Sequence, residues 1–168
     1  MRHSVPILCL GLALGTNALA APTHVHGEAK LEIAVEGNTL VIHLDSPLAN
    51  LLGFEHAPRT PAEQQAVKAM AATLRQAGRL FVLDAAAGCT APDVQLASPV
   101  LDGKATADGH LDLEADFRWQ CRHLPALRGI ETRLFAAFPR LKRIGVDFAG
   151  PAGQQAGRLT PEVTRFAW

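Results

Sequence analysis

The chain lacks most of the features by which a sequence announces an activity. Lysine plus arginine and aspartate plus glutamate both number 16, so neither sign is in excess, and no basic stripe interrupts the balance. This removes the electrostatic reason to expect nucleic acid or an anionic membrane surface as partner. There is no helical His-x-x-x-His pair, no Cys-x-x-Cys and no glycine-rich phosphate loop. Their absence excludes the commonest zinc-enzyme, zinc-finger and nucleotide-site patterns. No nucleophile elbow occurs either. The nearest approach to a hydrolase triad is His43, Asp45 and Ser46, which as close neighbours on one strand cannot adopt triad geometry. No apolar run is long enough to span a bilayer as a helix. Only two methionines are present, one of them the initiator and the other, Met70, a core residue by its spacing, which disfavours a soft-ligand copper site.

What is present is a chain of 168 residues, 48% of them hydrophobic, a globular composition sized for one domain. The first twenty residues predict a cleaved export signal. Arg2 supplies the charge, Val5 to Leu14 the apolar stretch and Ala18-Leu19-Ala20 the small-x-small cleavage site. Cys9 lies inside that segment in a poor context for lipid attachment. The expected mature protein is soluble and periplasmic, with residues 21–168 forming a single domain and no membrane span after cleavage. Its remaining cysteines, Cys89 and Cys121, are an even pair in an exported chain and are most simply a disulfide. A pair of thiolate ligands ranks below that reading, because periplasmic oxidation competes with it.

Hydropathy alternates with a period of two over residues 28–46, with Gly37-Asn38 as a hairpin turn and Pro47 ending the second strand. Residues 46–59 read as an irregular segment too apolar for a solvated loop, so Leu48, Leu51, Leu52 and Phe54 are expected to pack down and hold Glu55 and His56 in place. Thr60-Pro61-Ala62-Glu63 carries a capping box with proline at the first helical position, Val67, Met70 and Leu74 form a buried stripe, and Gly78 suits the helix end. Short strands follow at 80–83 and 94–97. The clearest strand runs from Leu111 to Cys121, its odd-numbered residues apolar. A second amphipathic helix is predicted from Leu124 to Phe138, stopped by Pro139, and strands complete the chain. The fold class expected is α+β, a mainly antiparallel sheet with two amphipathic helices packed on it.

Candidate chemistry lies with the histidines. His24 and His26 leave an extended backbone on the same side, and neutral imidazole is the commonest ligand for borderline metals such as zinc. Glu55-His56 is a second arm, presented by the packed segment, and His110 with Asp112 a third. Each has a plainer reading. Glu55 could neutralise Arg59, His56 could bond a loop carbonyl, and His110 could be a turn residue beside a solvated acidic face. His43 is a single histidine on an exposed strand face, and His123 is expected to be structural or exposed.

Taken together, His24-x-His26-Gly27-x-Ala29, the Ser46-Pro47 to Asn50-Leu51 stretch, Gly53-Phe54-Glu55-His56-x-Pro58 and His110-x-Asp112-x-Glu114-Ala115 form one pattern. With Cys89, Cys121, Leu134-Phe135, Phe138-Pro139, Gly153-Gln154 and Leu159-Thr160-Pro161, the chain resembles the ZrgA family of periplasmic zinc-uptake accessory proteins over nearly all of its mature length. The resemblance implies Zn(II) binding in support of import, without catalysis, and places His24, His26, Glu55, His56 and His110 on motif positions. One departure is that family members often carry a histidine- and aspartate-rich tract between the cysteines, whereas residues 99–109 here contain no histidine. A multi-zinc reservoir is therefore not expected, and one or two compact sites are. The resulting expectation is a non-catalytic protein that holds zinc and passes it to an uptake component. The alternative is an envelope interaction module with incidental histidines.

Overall fold

The computed structural model describes residues 25–103, 111–151 and 153–168. The export signal read at residues 1–20, together with His24 and His110, lies outside them. The framework begins as a hairpin of β1 (Glu28–Glu36) and β2 (Thr39–Pro47). Leu31, Ile33, Leu40, Ile42 and Leu44 turn inward and are almost fully buried. The chain continues through α1 (Leu48–Leu52), α2 (Pro61–Leu74), α3 (Ala77–Leu80), β3 (Phe81–Leu83), β4 (Asp93–Ala97) and β5 (Asp112–Gln120). It ends with β6 (Gly129–Thr132), α4 (Leu134–Ala137), β7 (Arg143–Gly150), β8 (Gly153–Leu159) and β9 (Arg165–Ala167). Among the described residues no helix is long and apolar enough to cross a membrane.

Six strands form one sheet in the order β4-β5-β2-β1-β7-β8, and β3-β6-β9 form a second. All neighbours in the larger sheet are antiparallel except β1 and β7, which run parallel with Glu28 opposite Arg143. The sheet is thus mixed. The expected mainly antiparallel pattern does not include this one pairing because a parallel neighbour is joined by a long connection, here residues 37–142 with β2 inside it, and leaves no local turn signal. Phe81 of β3 meets Phe117 and Trp119 of β5, and Phe148 of β7 lies 6.3 Å from Phe166 of β9 between ring centroids, so aromatic contacts join the two sheets at separate places.

The helices differ from the expected pair. Only α2 is long. Its capping box is formed as expected, and it buries Val67, Met70, Ala71 and Leu74, but it ends at Leu74 with Arg75 as its C-cap, and Gly78 lies inside α3. The predicted second helix over residues 124–138 does not form. That stretch holds a 3₁₀ turn at Leu124–Ala126, then β6, then the one-turn α4. Helical spacing of Leu127, Ile130 and Leu134 misled here, because Ile130 and Thr132 are β-branched and β6 is the central strand of the smaller sheet. A Cβ on Gly129 would lie 2.4 Å from the Phe166 carbonyl oxygen, so glycine fits this close strand approach. Asp84 pins the same sheet, accepting the Arg128 N–H at 2.8 Å and pairing with Arg165 at 3.1 Å.

The Cys89–Cys121 disulfide is formed. Cys121 is buried, and its N–H reaches the Asn38 carbonyl at 2.8 Å, so the bridge ties the segment before β4 to the turn of the first hairpin.

Candidate metal centre

The histidine-bearing N-terminal segment is fixed by a residue whose motif position gives no hint of that role. Asn50, only 1% exposed, lies in α1. Its Oδ1 accepts the Gly27 N–H at 2.6 Å, and its amide nitrogen donates to the Glu28 carbonyl at 2.7 Å and to Ser46 Oγ at 3.2 Å. Ser46 Oγ in turn donates to the Pro47 carbonyl at 3.2 Å. Both amide protons of Asn50 and one carbonyl lone pair are thus used in a buried site, where a satisfied network is rigid.

Gly27 is held from its other side as well. Its carbonyl accepts the Lys142 and Arg143 N–H groups at 2.8 and 2.9 Å. The residue has φ +84°, and an added Cβ would meet the Lys142 side chain at 3.3 Å, so the glycine after His26 answers to a left-handed backbone in a tight space. The Arg143 guanidinium pairs with the Glu28 carboxylate beside it.

This anchoring sets His26 over the segment that follows α1. Its Nε2 lies 3.1 Å from Glu55 Oε1, joining residues 29 apart in sequence. His26 is mostly exposed, with 73% of its side chain accessible, against 15% for Glu55. An exposed side chain thus faces a largely covered one. Leu48 and Leu51 are buried and Leu52 and Phe54 pack on the core, as the apolar character of the stretch predicts, although residues 48–52 are helical rather than irregular. The Arg140 side chain lies over Gly53.

His56 stacks on Phe54, with ring centroids 5.0 Å apart, and its Nδ1 donates to the Ala57 carbonyl at 2.9 Å. Its Nε2 stands 3.8 Å from Oε1 of Glu63. Glu63 is held below the usual carboxylate range, first by the Arg59 backbone N–H and then by that of Thr60. Sequence reading recognises Glu63 as a cap but not as a neighbour of His56. The capping box that aims it is local, whereas His56 arrives from a bend of the chain that no periodicity describes.

The third arm is described only from Leu111 onward. Asp112 lies opposite Pro47, and the Leu48 N–H reaches the Leu111 carbonyl at 2.9 Å, so β5 starts at the sheet end from which α1 departs. His43 is not solitary on its face. Its Nδ1 lies 2.8 Å from Oδ1 of Asp116, its partner in the β2–β5 register, and Glu32 is its partner on β1. His123 is exposed.

The structure therefore brings His26 to Glu55 and sets His56 beside Glu63. Among the described residues no group of three or more His, Cys, Asp or Glu donors converges. Two donors bound to zinc at about 2.0–2.1 Å with a tetrahedral angle lie about 3.3 Å apart. The His26–Glu55 separation of 3.1 Å is that of a hydrogen bond and lies close to that edge. No curated protein matches this chain. Residues 23–168 match a family described as ZrgA family zinc uptake protein, which suggests a role in zinc uptake, and since the match takes in both histidine motifs and nearly the whole sequence, the chain belongs to that family.

Proposed function

We propose that this protein binds Zn(II) in the periplasm and passes it to an uptake component, without catalysis. The carrying observation is the contact between His26 and Glu55, made by two distant motifs and secured by Asn50. In this reading the metal replaces the proton shared between imidazole and carboxylate. His56 lies next in sequence to Glu55, and His24 two residues before His26. Residues 21–168 act as one zinc-binding unit after loss of the signal. Exposure of His26 serves release, because an accessible ligand can leave first while Glu55 stays in place.

Calorimetric titration of the mature protein with Zn(II) tests this. Affinity tighter than about micromolar, weakened about tenfold or more by His26→Ala or Glu55→Ala, is the expected result. Absence of binding, or binding indifferent to both substitutions, would overturn the proposal and favour an envelope interaction module instead.

A further inference from the structure

Glu63 uses only part of its carboxylate to start α2. Its Oε2 accepts the Arg59 N–H at 2.6 Å and the Thr60 N–H at 2.9 Å, while the Thr60 hydroxyl accepts the Glu63 N–H at 3.2 Å. The second oxygen, Oε1, faces Nε2 of His56 at 3.8 Å. That is beyond hydrogen-bond length, so these atoms stand side by side without a shared proton.

The imidazole is oriented by its other nitrogen. A carbonyl only accepts, so the 2.9 Å contact of Nδ1 with Ala57 puts the ring proton on Nδ1. In the neutral ring Nε2 then presents its lone pair toward Glu63. An imidazole that donates one N–H to a carbonyl and offers the other nitrogen is the usual arrangement of a metal-ligating histidine. Stacking on Phe54 further limits rotation of the ring. Both side chains keep access to solvent, 37% for His56 and 25% for Glu63. Closing the gap by about half an ångström would bring the pair to the edge length of a zinc tetrahedron.

We propose that His56 Nε2 and Glu63 Oε1 form a two-donor zinc site at the start of α2, in which one carboxylate caps the helix and binds the metal. This deepens the zinc-binding reading, on which it rests, and adds a ligand that lies outside the histidine motifs. One neutral and one anionic donor face the dication. Water fills the remaining positions, an open coordination sphere from which an incoming ligand can take the metal. Because both oxygens belong to one group, loading must be felt at the amides that Oε2 accepts.

The test uses Glu63→Gln in the whole mature chain. Glutamine serves in a capping box as glutamate does, so the helix start is kept while the anionic donor is removed. Zinc titration is followed by calorimetry and by the amide NMR signals of Arg59 and Thr60. In the unaltered protein zinc is expected to shift both signals. In Glu63→Gln and in His56→Ala those shifts should vanish and affinity at this site should fall about tenfold or more, with unchanged circular dichroism. Zinc binding that is lost in His26→Ala but untouched in Glu63→Gln and His56→Ala would overturn this proposal while leaving the broader reading intact. Failure of the unaltered protein to bind zinc would overturn both.

Discussion

Replacing Asn50 with alanine separates the role of the buried amide in the fold from its role in placing His26. The substitution removes three hydrogen bonds, those to Gly27 N–H, the Glu28 carbonyl and Ser46 Oγ. Each such bond contributes about 1 kcal/mol net, and a buried group left without a partner costs about 1–3 kcal/mol. Ser46 can turn to its remaining acceptor and some water can enter, so the expected loss is about 2–4 kcal/mol. With a urea slope of about 2 kcal/mol per molar, the unfolding midpoint should fall by about 1–2 M. The slope itself should not change. Zinc titration of the same variant, under conditions where it remains folded, should show weaker binding, because the segment carrying His26 has lost its tether to α1. A stability loss below about 0.5 kcal/mol, the range of an ordinary surface substitution, would refute the account of the network. A normal loss of stability with an unchanged zinc isotherm would instead refute the claim that Asn50 positions the site.

Asp84 supplies a pH test. Its carboxyl is held below its ordinary range, first by the Arg128 backbone N–H and then by Arg165. A lowered folded-state value means that the associated stability is fully present above the unfolded-state value near 4 and is lost as pH falls through the folded-state value. Asp84→Asn should therefore cost about 1–2 kcal/mol at pH 7, and the difference from the unaltered protein in chemical denaturation should shrink steadily below about pH 4; a gap that persists into strong acid would contradict this. Removing the disulfide by Cys89→Ala plus Cys121→Ala should cost about 3–4 kcal/mol in the chain-entropy picture, measured by thermal or urea unfolding. A double variant as stable as the parent would show that the unfolded chain is already constrained in that region.

The larger sheet was legible wherever alternation was strict. Leu31 and Ile33, Leu40 to Leu44, and Leu113 to Trp119 each follow the period of two into the core. The Thr60–Glu63 box also needed no tertiary information, since its reciprocal bonds lie within one helical turn. Residues 124–138 were not legible, because the spacing of their apolar residues fits a helix while the neighbours β3 and β9, supplied from distant parts of the chain, make β6 a strand. The histidine-bearing segments stand out by their side-chain chemistry, but the contacts that hold them in place do not. Asn50 reads as one polar residue in an apolar run, and its value depends on main-chain groups more than twenty residues away. The closeness of His56 to Glu63 similarly depends on the bend between α1 and α2, which is a matter of tertiary packing.

The parallel pairing of β1 with β7 also separates contacts that are near in the chain from contacts that need its far end. As the chain grows from its N-terminus, β1 and β2 can close as a hairpin at once, since only a tight turn separates them. The other edge of β1 stays bare until residues 143–149 arrive to cover it, and an uncovered strand edge recruits stray strands. The carbonyl of Gly27 likewise has no Lys142 or Arg143 amide to accept before that stage. The start of the chain thus meets Asn50 early and gains its Lys142 and Arg143 contacts only when the far part of the chain arrives. A truncated form ending before β7 would keep the Asn50 contacts but leave one edge of β1 open to pairing with stray strands.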